Sequence, residues 1–188
     1  MQTRKAGILL GMLCGASILM TACSIGGKKA VVTCDGYEVT LGKTTAGEIK
    51  EAGFTNFYAN VEKETIDSMS WENFYAMKGD LSYGTMLAGN KGSSSIAFDK
   101  GKVFEISIDY DNPELSVGEI LINGVDYQGC TRDEIKAGMG DAKVSLDVDQ
   151  YLEFEIGSCE YTFSFEEGSE TVTKIRVNDG TEKEYSYN

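Results

Sequence analysis

Hydrophobic and polar residues alternate along much of the chain, which is the pattern of half-buried β-strands. The alternation is clear in residues 95–108, 144–148, 152–156 and 161–177. Val144, Leu146 and Val148 fall on one side of such a strand, so they are expected on its apolar face. Residues 74–78 and 81–87 add further strands. The pattern therefore predicts a protein rich in antiparallel sheet.

Two segments, 34–50 and 122–136, carry the same order of features. Each has a turn dipeptide, then a glycine, then the motif Thr-x-x-Glu-Ile-Lys. The motif begins at Thr45 and again at Thr131, an offset of 131 − 45 = 86 residues. A fixed offset between matching segments is the mark of an internal repeat.

Each feature of the repeat predicts a local structure. Asn-Gly and Asp-Gly tolerate positive φ and form tight hairpins, here at Asp35-Gly36 and Asn123-Gly124. A threonine three residues before a glutamate forms a capping box, which starts a helix at Thr45/Glu48 and at Thr131/Glu134. Helices often end at a glycine in the left-handed conformation, so we expect the two helices to end at Gly53 and Gly138.

These features predict an α+β protein of two tandem repeats, each a short helical layer packed on an antiparallel β-sheet. The first repeat spans residues 30–112 and the second spans 113–188. The boundary falls in the polar segment 109–116, which holds the only proline, Pro113.

The N-terminus differs from the rest of the chain. Arg4 and Lys5 precede an apolar run, residues 6–20, which is shorter than the ~20 residues of a membrane span. The stretch 19–23, Leu-Met-Thr-Ala-Cys, resembles the lipobox of bacterial lipoproteins. Residues 1–22 are then a signal peptide, and residues 23–29 form a flexible tether that begins with Cys23.

In lipoproteins of that family the cysteine thiol receives a diacylglycerol and becomes the new N-terminus. The resemblance implies a lipid-anchored protein on the extracytoplasmic face of the cell membrane, or of an outer membrane where one exists. Two acyl chains anchor a protein firmly in a membrane, because each buried methylene contributes ~0.8 kcal/mol to membrane binding. The alternatives are an ordinary cleaved signal peptide and a transmembrane anchor.

The helix-start motif also carries a resemblance. It reads Gly-x-x-Thr-x-x-Glu-Ile from Gly42 to Ile49, and in shortened form from Gly129 to Ile135. In this it resembles the β-lactamase inhibitor protein fold, itself a tandem repeat, and the small lipoprotein of outer-membrane assembly machinery. The resemblance implies a fold and transfers no ligand.

Charge and composition exclude several functions. The chain has 17 basic and 30 acidic residues; loss of Arg4 and Lys5 leaves 15 − 30 = −15. This charge disfavours nucleic acid and fits solubility or a cationic partner. The sequence has no histidine, which removes Ser-His-Asp catalysis and imidazole general bases. No cofactor and no metal site are predicted.

The cysteines that remain after Cys23 are Cys34, Cys130 and Cys159. An odd number permits at most one internal disulfide, Cys34–Cys159 or Cys130–Cys159. Isolated buried thiols are the alternative. Their spacing matches no zinc pattern.

Carboxylates offer two further candidates. The segment from Asp109 to Glu114 has oxygen ligands of the kind calcium prefers, although a solvated turn between the repeats is the favoured interpretation. Asp147 and Asp149 would lie ~6.6 Å apart on one strand face, a pair that glycoside hydrolysis would need. The outward polar face of a strand is the simpler interpretation.

The aromatic-rich stretch 54–75 has no counterpart of equal length in the second repeat, and insertions of this kind often form a binding face. Its candidate partner-binding residues are Phe57, Tyr58, Trp71 and Tyr75. The alternative is that Phe57, Trp71 and Phe74 fill the core. The sequence thus predicts a non-enzymatic interaction module of the cell envelope; the alternatives are a calcium- or solute-binding lipoprotein and a carboxylate-based hydrolase.

Overall fold

The computed structural model describes residues 30–56 and 64–185, so the predicted signal peptide, Cys23 and the tether lie outside the described residues. Within these ranges the chain forms, in order, β1 (Val31–Cys34), β2 (Tyr37–Thr40), α1 (Ala46–Glu51), β3 (Thr55–Asn56), β4 (Thr65–Ile66), β5 (Ser70–Lys78), β6 (Leu81–Asn90), β7 (Ile96–Ala97), β8 (Lys102–Asp109), β9 (Ser116–Val117), β10 (Ile120–Ile122), α2 (Arg132–Met139), β11 (Lys143–Val148), β12 (Tyr151–Ile156), β13 (Cys159–Ser164) and β14 (Lys174–Asn178). Two short 3-10 turns lie at Phe98–Lys100 and Glu182–Glu184.

A large antiparallel sheet dominates the molecule. Its strand order is β11-β12-β13-β14-β8-β6-β5-β3, and β9 adds to β6 in parallel. A smaller sheet has the order β10-β1-β2, and β4 pairs with β7. The last strands of the two predicted repeats, β8 and β14, are neighbours at the centre of the large sheet.

The prediction of an α+β fold with a helical layer in each repeat is wrong, because the described chain is mostly β. α1 has six residues and α2 has eight, and each buries only two side chains, Ala46 and Ile49 in α1 and Ile135 and Met139 in α2. Elements this short cover too little apolar surface to form a layer. Glycine residues with positive φ, Gly53 and Gly140, follow them and stop the helices early.

The predicted turns and helix starts are confirmed. Both turn dipeptides have positive φ at both residues, 45° and 76° in the first turn and 51° and 85° in the second. Both capping boxes are complete, at Thr45/Glu48 and Thr131/Glu134. Gly138 does not end a helix as predicted: it lies inside α2, where a Cβ would come within 2.9 Å of the Tyr127 ring. Glycine at 138 therefore serves close packing.

One face of the large sheet carries the core. A row of paired residues crosses it from β5 to β12 and is buried throughout: Phe74, Met86, Ile106, Val177, Tyr161 and Phe154. Side chains from the small sheet and both helices join the same hydrophobic cluster, among them Val32, Ile49, Ile122 and Ile135. The helices and the small sheet therefore cover this face.

The registers have approximate two-fold symmetry. Cys34 and Ile122 each precede a turn dipeptide, and β1 pairs with β10 so that Thr33 lies opposite Leu121 and Val32 opposite Ile122. β1 and β10 are thus equivalent strands of the two repeats, and they pair with each other in antiparallel orientation. The two predicted repeats therefore share both the small sheet and the centre of the large one.

Candidate functional site

The other face of the large sheet, called here the open face, is lined by side chains that remain partly accessible. Strand pairing places them in a row across seven strands: Tyr75, Thr85, Ser107, Arg176, Thr162, Glu153 and Leu146. Six are half-buried and Leu146 is exposed, in contrast to the buried core row. Six interstrand steps of about 4.8 Å make the row about 29 Å long.

The centre of the open face holds compensated charges. The Arg176 guanidinium pairs with Glu105 at 2.6 Å and also with Glu182. The amide of Asn178 donates to Glu105 at 2.8 Å, and Lys174 pairs with Asp109 at 3.2 Å. Hydrogen bonding to Glu105 raises the pKa of Arg176 above its usual value. The cations here are held by neighbouring carboxylates.

A polar cavity of about 320 Å³ opens beside these ion pairs, and it is lined in part by Tyr75, Ser82, Thr85, Ser107, Ser164 and Lys174. It lies at the point where the pairing of β6 with β8 ends and the pairing of β6 with β9 begins. The lining also includes Arg176 and Asp109, which are held in the ion pairs described above, and the apolar side chains of Ile108, Leu115 and Ile175.

The predicted calcium-type segment stabilises its own backbone. Asp109 accepts a hydrogen bond from the Asp111 backbone N–H at 3.1 Å while pairing with Lys174. Asn112 accepts from the Glu114 N–H at 3.0 Å. Within the described residues no three Asp, Glu or Cys side chains converge as a metal site would require. The contacts fit the interpretation of this segment as a turn.

Asp147 and Asp149 do not share a strand face, so that prediction is wrong. Asp147 points toward α2 and pairs with Arg132 and Lys136, each at 2.7 Å, whereas Asp149 lies in the turn after β11. Hydrogen bonding to Lys136 lowers the pKa of Asp147. A general acid for glycoside hydrolysis would need a raised pKa.

A bulge explains the changed orientation of β11. Val144 pairs with Phe154 on the core face, but the register shifts before Leu146, which pairs with Glu153 on the open face. Leu146 and Val148 are consequently exposed, at 37% and 47%, beside Tyr151 at 44%. The predicted single apolar face of 144–148 is therefore wrong.

Two of the predicted partner-binding aromatics, Trp71 and Tyr75, lie on β5 and are half-buried on the open face, opposite Gly89 and Thr85. Phe57 and Tyr58 lie outside the described residues. Of the residues proposed to fill the core, Phe74 does so, at 4% exposed, whereas Trp71 is not part of the core cluster.

Met69 marks the start of the same strand with two features that the sequence did not suggest. It is 37% exposed and has a positive φ of 53°. Left-handed backbone in a non-glycine residue is strained, and such strain concentrates at functional sites. Trp71 and Tyr75 lie four residues apart in the regular part of β5 and share its open side, whereas Met69 lies in the turn before the strand.

The C-terminal segment 179–185 crosses one end of the open face. The Tyr185 ring packs on Phe104 with centroids 4.9 Å apart, and its hydroxyl lies where a side chain on Gly89 would stand. Lys91 pairs with Glu184 at 2.8 Å. This segment covers the β6–β8 bulge next to Trp71 and reaches Arg176 of the row described above through Glu182.

The three cysteines of the described chain are free thiols, so neither candidate disulfide forms. Cys34 and Cys159 are buried, which agrees with the interpretation as isolated buried thiols, and Cys130 is half-buried. Burial raises the pKa of Cys34 to about 12. Burial also raises the pKa of Cys130, so neither of these two thiols is an activated nucleophile.

The chain matches no protein-family model, no curated protein and no solved structure. Among the described residues, no helix has the length and apolar character needed to cross a membrane.

Proposed function

We propose that this protein is a non-enzymatic interaction module of the bacterial cell envelope, anchored through a diacylated Cys23, that binds a protein partner with its open face. The observation that carries the proposal is the composition of that face. Its centre is polar and charge-compensated. Accessible aromatic or apolar side chains stand at both ends, the half-buried Trp71 on one side and the exposed Leu146 on the other.

The dimensions of the open face support a protein partner. A row about 29 Å long matches the width of a standard interface, which buries ~800 Å² on each side. Trp and Tyr are the residue types enriched at interface hot spots, and Trp71 and Tyr75 belong to them. A sheet face held by eight strands is rigid, so binding requires little ordering.

The chemistry of the site supports binding over catalysis. Two of the carboxylates singled out from the sequence are committed to cations of the same chain, Asp109 to Lys174 and Asp147 to Arg132 and Lys136. The calcium-binding and hydrolytic alternatives both need uncommitted carboxylates, so they lose support. The lipobox-like sequence ending at Cys23 supports the envelope location.

A photo-crosslinking experiment in the native envelope tests this proposal. A crosslinking amino acid is placed at position 71 or 75, and as a control at Lys43, which is exposed beside α1. We expect position 71 or 75 to capture a defined protein that Lys43 does not capture, and we expect the N-terminal peptide to begin at diacylated Cys23. Equal capture from both faces, or an unmodified N-terminus in the medium, contradicts the proposal.

A further inference from the structure

Exposed apolar side chains concentrate in one place. Six large hydrophobic residues are exposed among the described residues, and four of them lie in the β11–β12 hairpin: Val144, Leu146, Val148 and Tyr151. Strand pairing places Leu146, Val148 and Tyr151 together on the open face. These three residues are called here the apolar strip. Contiguous exposed apolar surface on a soluble domain marks an interaction site.

The apolar strip is held in place by a dedicated network. Arg132 donates hydrogen bonds to the backbone oxygens of Val148 at 2.9 Å and Asp149 at 2.8 Å. Its guanidinium also pairs with Asp147 and stacks on the Phe165 ring, 4.4 Å from the centroid. By binding Asp147 on the core side, this network fixes the bulge that turns Leu146 and Val148 outward. Exposure of the strip is therefore built into the fold.

Carboxylates border the strip on the same face. Glu153 is paired across the strands with Leu146 and makes no ion pair within the described residues. Glu155 and Glu160 lie directly opposite each other, although like charges at that position are unfavourable. Among the described residues they pair with the exposed ends of Lys143 and Lys183. Within the described chain, Glu153 is then the uncompensated carboxylate of this border, and its charge beside exposed apolar side chains is complementary to a segment that is both basic and apolar.

We propose that the apolar strip and Glu153 dock a positively charged, apolar-rich segment of a protein partner. This inference rests on the proposed function and names the partner chemistry at one end of the open face. A second copy of the chain would bring the same carboxylates to the contact, and an anionic membrane surface would be repelled. The basic segment is the occupant that the charges favour.

Binding of a synthetic peptide to the full chain in neutral detergent tests the inference. The probe is a fluorescent peptide in which lysine alternates with leucine and tyrosine, and its counterpart replaces lysine with glutamate. We expect the lysine peptide to bind, with an affinity that falls as salt rises. The variant Leu146→Ser/Val148→Ser should bind at least about tenfold more weakly, a loss of about 1.4 kcal/mol. Glu153→Gln should weaken binding and reduce its salt dependence.

Matched controls separate the site from general effects. Leu81→Ser removes a leucine of similar exposure, 39%, outside the strip, and Glu38→Gln removes an exposed carboxylate from β2. Both should bind like the wild type. All these positions are accessible, so thermal unfolding should confirm folded variants.

Three results overturn the inference: equal binding of the two peptides, wild-type affinity in Leu146→Ser/Val148→Ser, or a dimer by light scattering that this variant abolishes. None of them depends on Trp71 or Tyr75. Crosslinking from those two positions can succeed while peptide binding at the strip fails, which distinguishes failure of this inference from failure of the proposed function.

Discussion

At the scale of single residues, Arg132 joins three parts of the second repeat. It is the first residue of α2, yet its guanidinium reaches the turn between β11 and β12 and the ring of Phe165. A planar fork with five donors can satisfy several backbone oxygens and stack on a ring at once, which a lysine cannot. The sequence shows an arginine after a helix cap and does not indicate these contacts, because its hydrogen-bond partners lie 15 to 19 residues later and Phe165 lies further still.

We predict that Arg132→Ala lowers the free energy of unfolding by about 2 kcal/mol, on the scale of hydrogen bonds that involve a charged donor. Arg132→Lys should recover only part of this loss, since the fork is absent. Lys143→Ala is the control, because it removes an exposed ion pair with Glu155. Its effect on the free energy of unfolding should stay within about 0.5 kcal/mol. Urea denaturation measures all three. Equal losses for Arg132→Ala and Lys143→Ala would show that the network contributes no stability.

At the scale of elements, the sequence predicted the turns and the helix starts, but it did not predict the lengths of the helices or the bulge in β11. A capping box or an Asn-Gly turn is decided by neighbouring residues, so its structure follows from four or five letters. A capping box predicts the residue at which a helix begins but not the length of the helix. The sequence therefore predicted a helical layer in each repeat where the structure has helices of six and eight residues. Period-2 alternation assumes a regular strand, and the bulge after Val144 breaks that assumption.

The two capping boxes offer a prediction with a pH dependence. In the second box, Glu134 accepts from the Thr131 N–H at 2.8 Å, and hydrogen bonds from Thr131 lower the pKa of Glu134. We expect Thr131→Ala to destabilise the fold by about 1 kcal/mol at neutral pH, and Thr131→Ser to cost little. Urea denaturation at several pH values provides the measurement.

The sign of the pH effect follows from the lowered pKa. The carboxylate stabilises the fold above the pKa it has in the unfolded chain, and this contribution is lost as the pH falls through its folded-state pKa. The difference between wild type and Thr131→Ala should therefore shrink on acidification. A difference that is constant from neutral to acidic pH would mean that the Thr131 hydroxyl contributes nothing to holding the Glu134 carboxylate, because the bond from the Thr131 backbone N–H is retained in the alanine variant.

At the scale of the whole molecule, the two halves are interleaved. β1 of the first half lies between β2 and β10, which belongs to the second half, and β8 pairs with β14 across the centre of the large sheet. The sequence match between residues 34–50 and 122–136 revealed equivalent segments. It did not reveal that equivalent strands pair with each other, because pairing partners are chosen by the core that they jointly bury.

This interleaving predicts that neither half folds alone. A chain ending at residue 112 lacks β10 and β14, which leaves edges of β1 and β8 unpaired, and a chain starting at residue 113 has the converse defect. We expect each half to be unfolded by circular dichroism and NMR when expressed separately, and a mixture of the two to recover the spectrum of the full chain. The thiols are free, so the halves are kept under reducing conditions to prevent disulfides between chains. An isolated half with a cooperative unfolding transition would show instead that the repeats are independent domains. The shared sheets would then be a contact between two domains that fold separately.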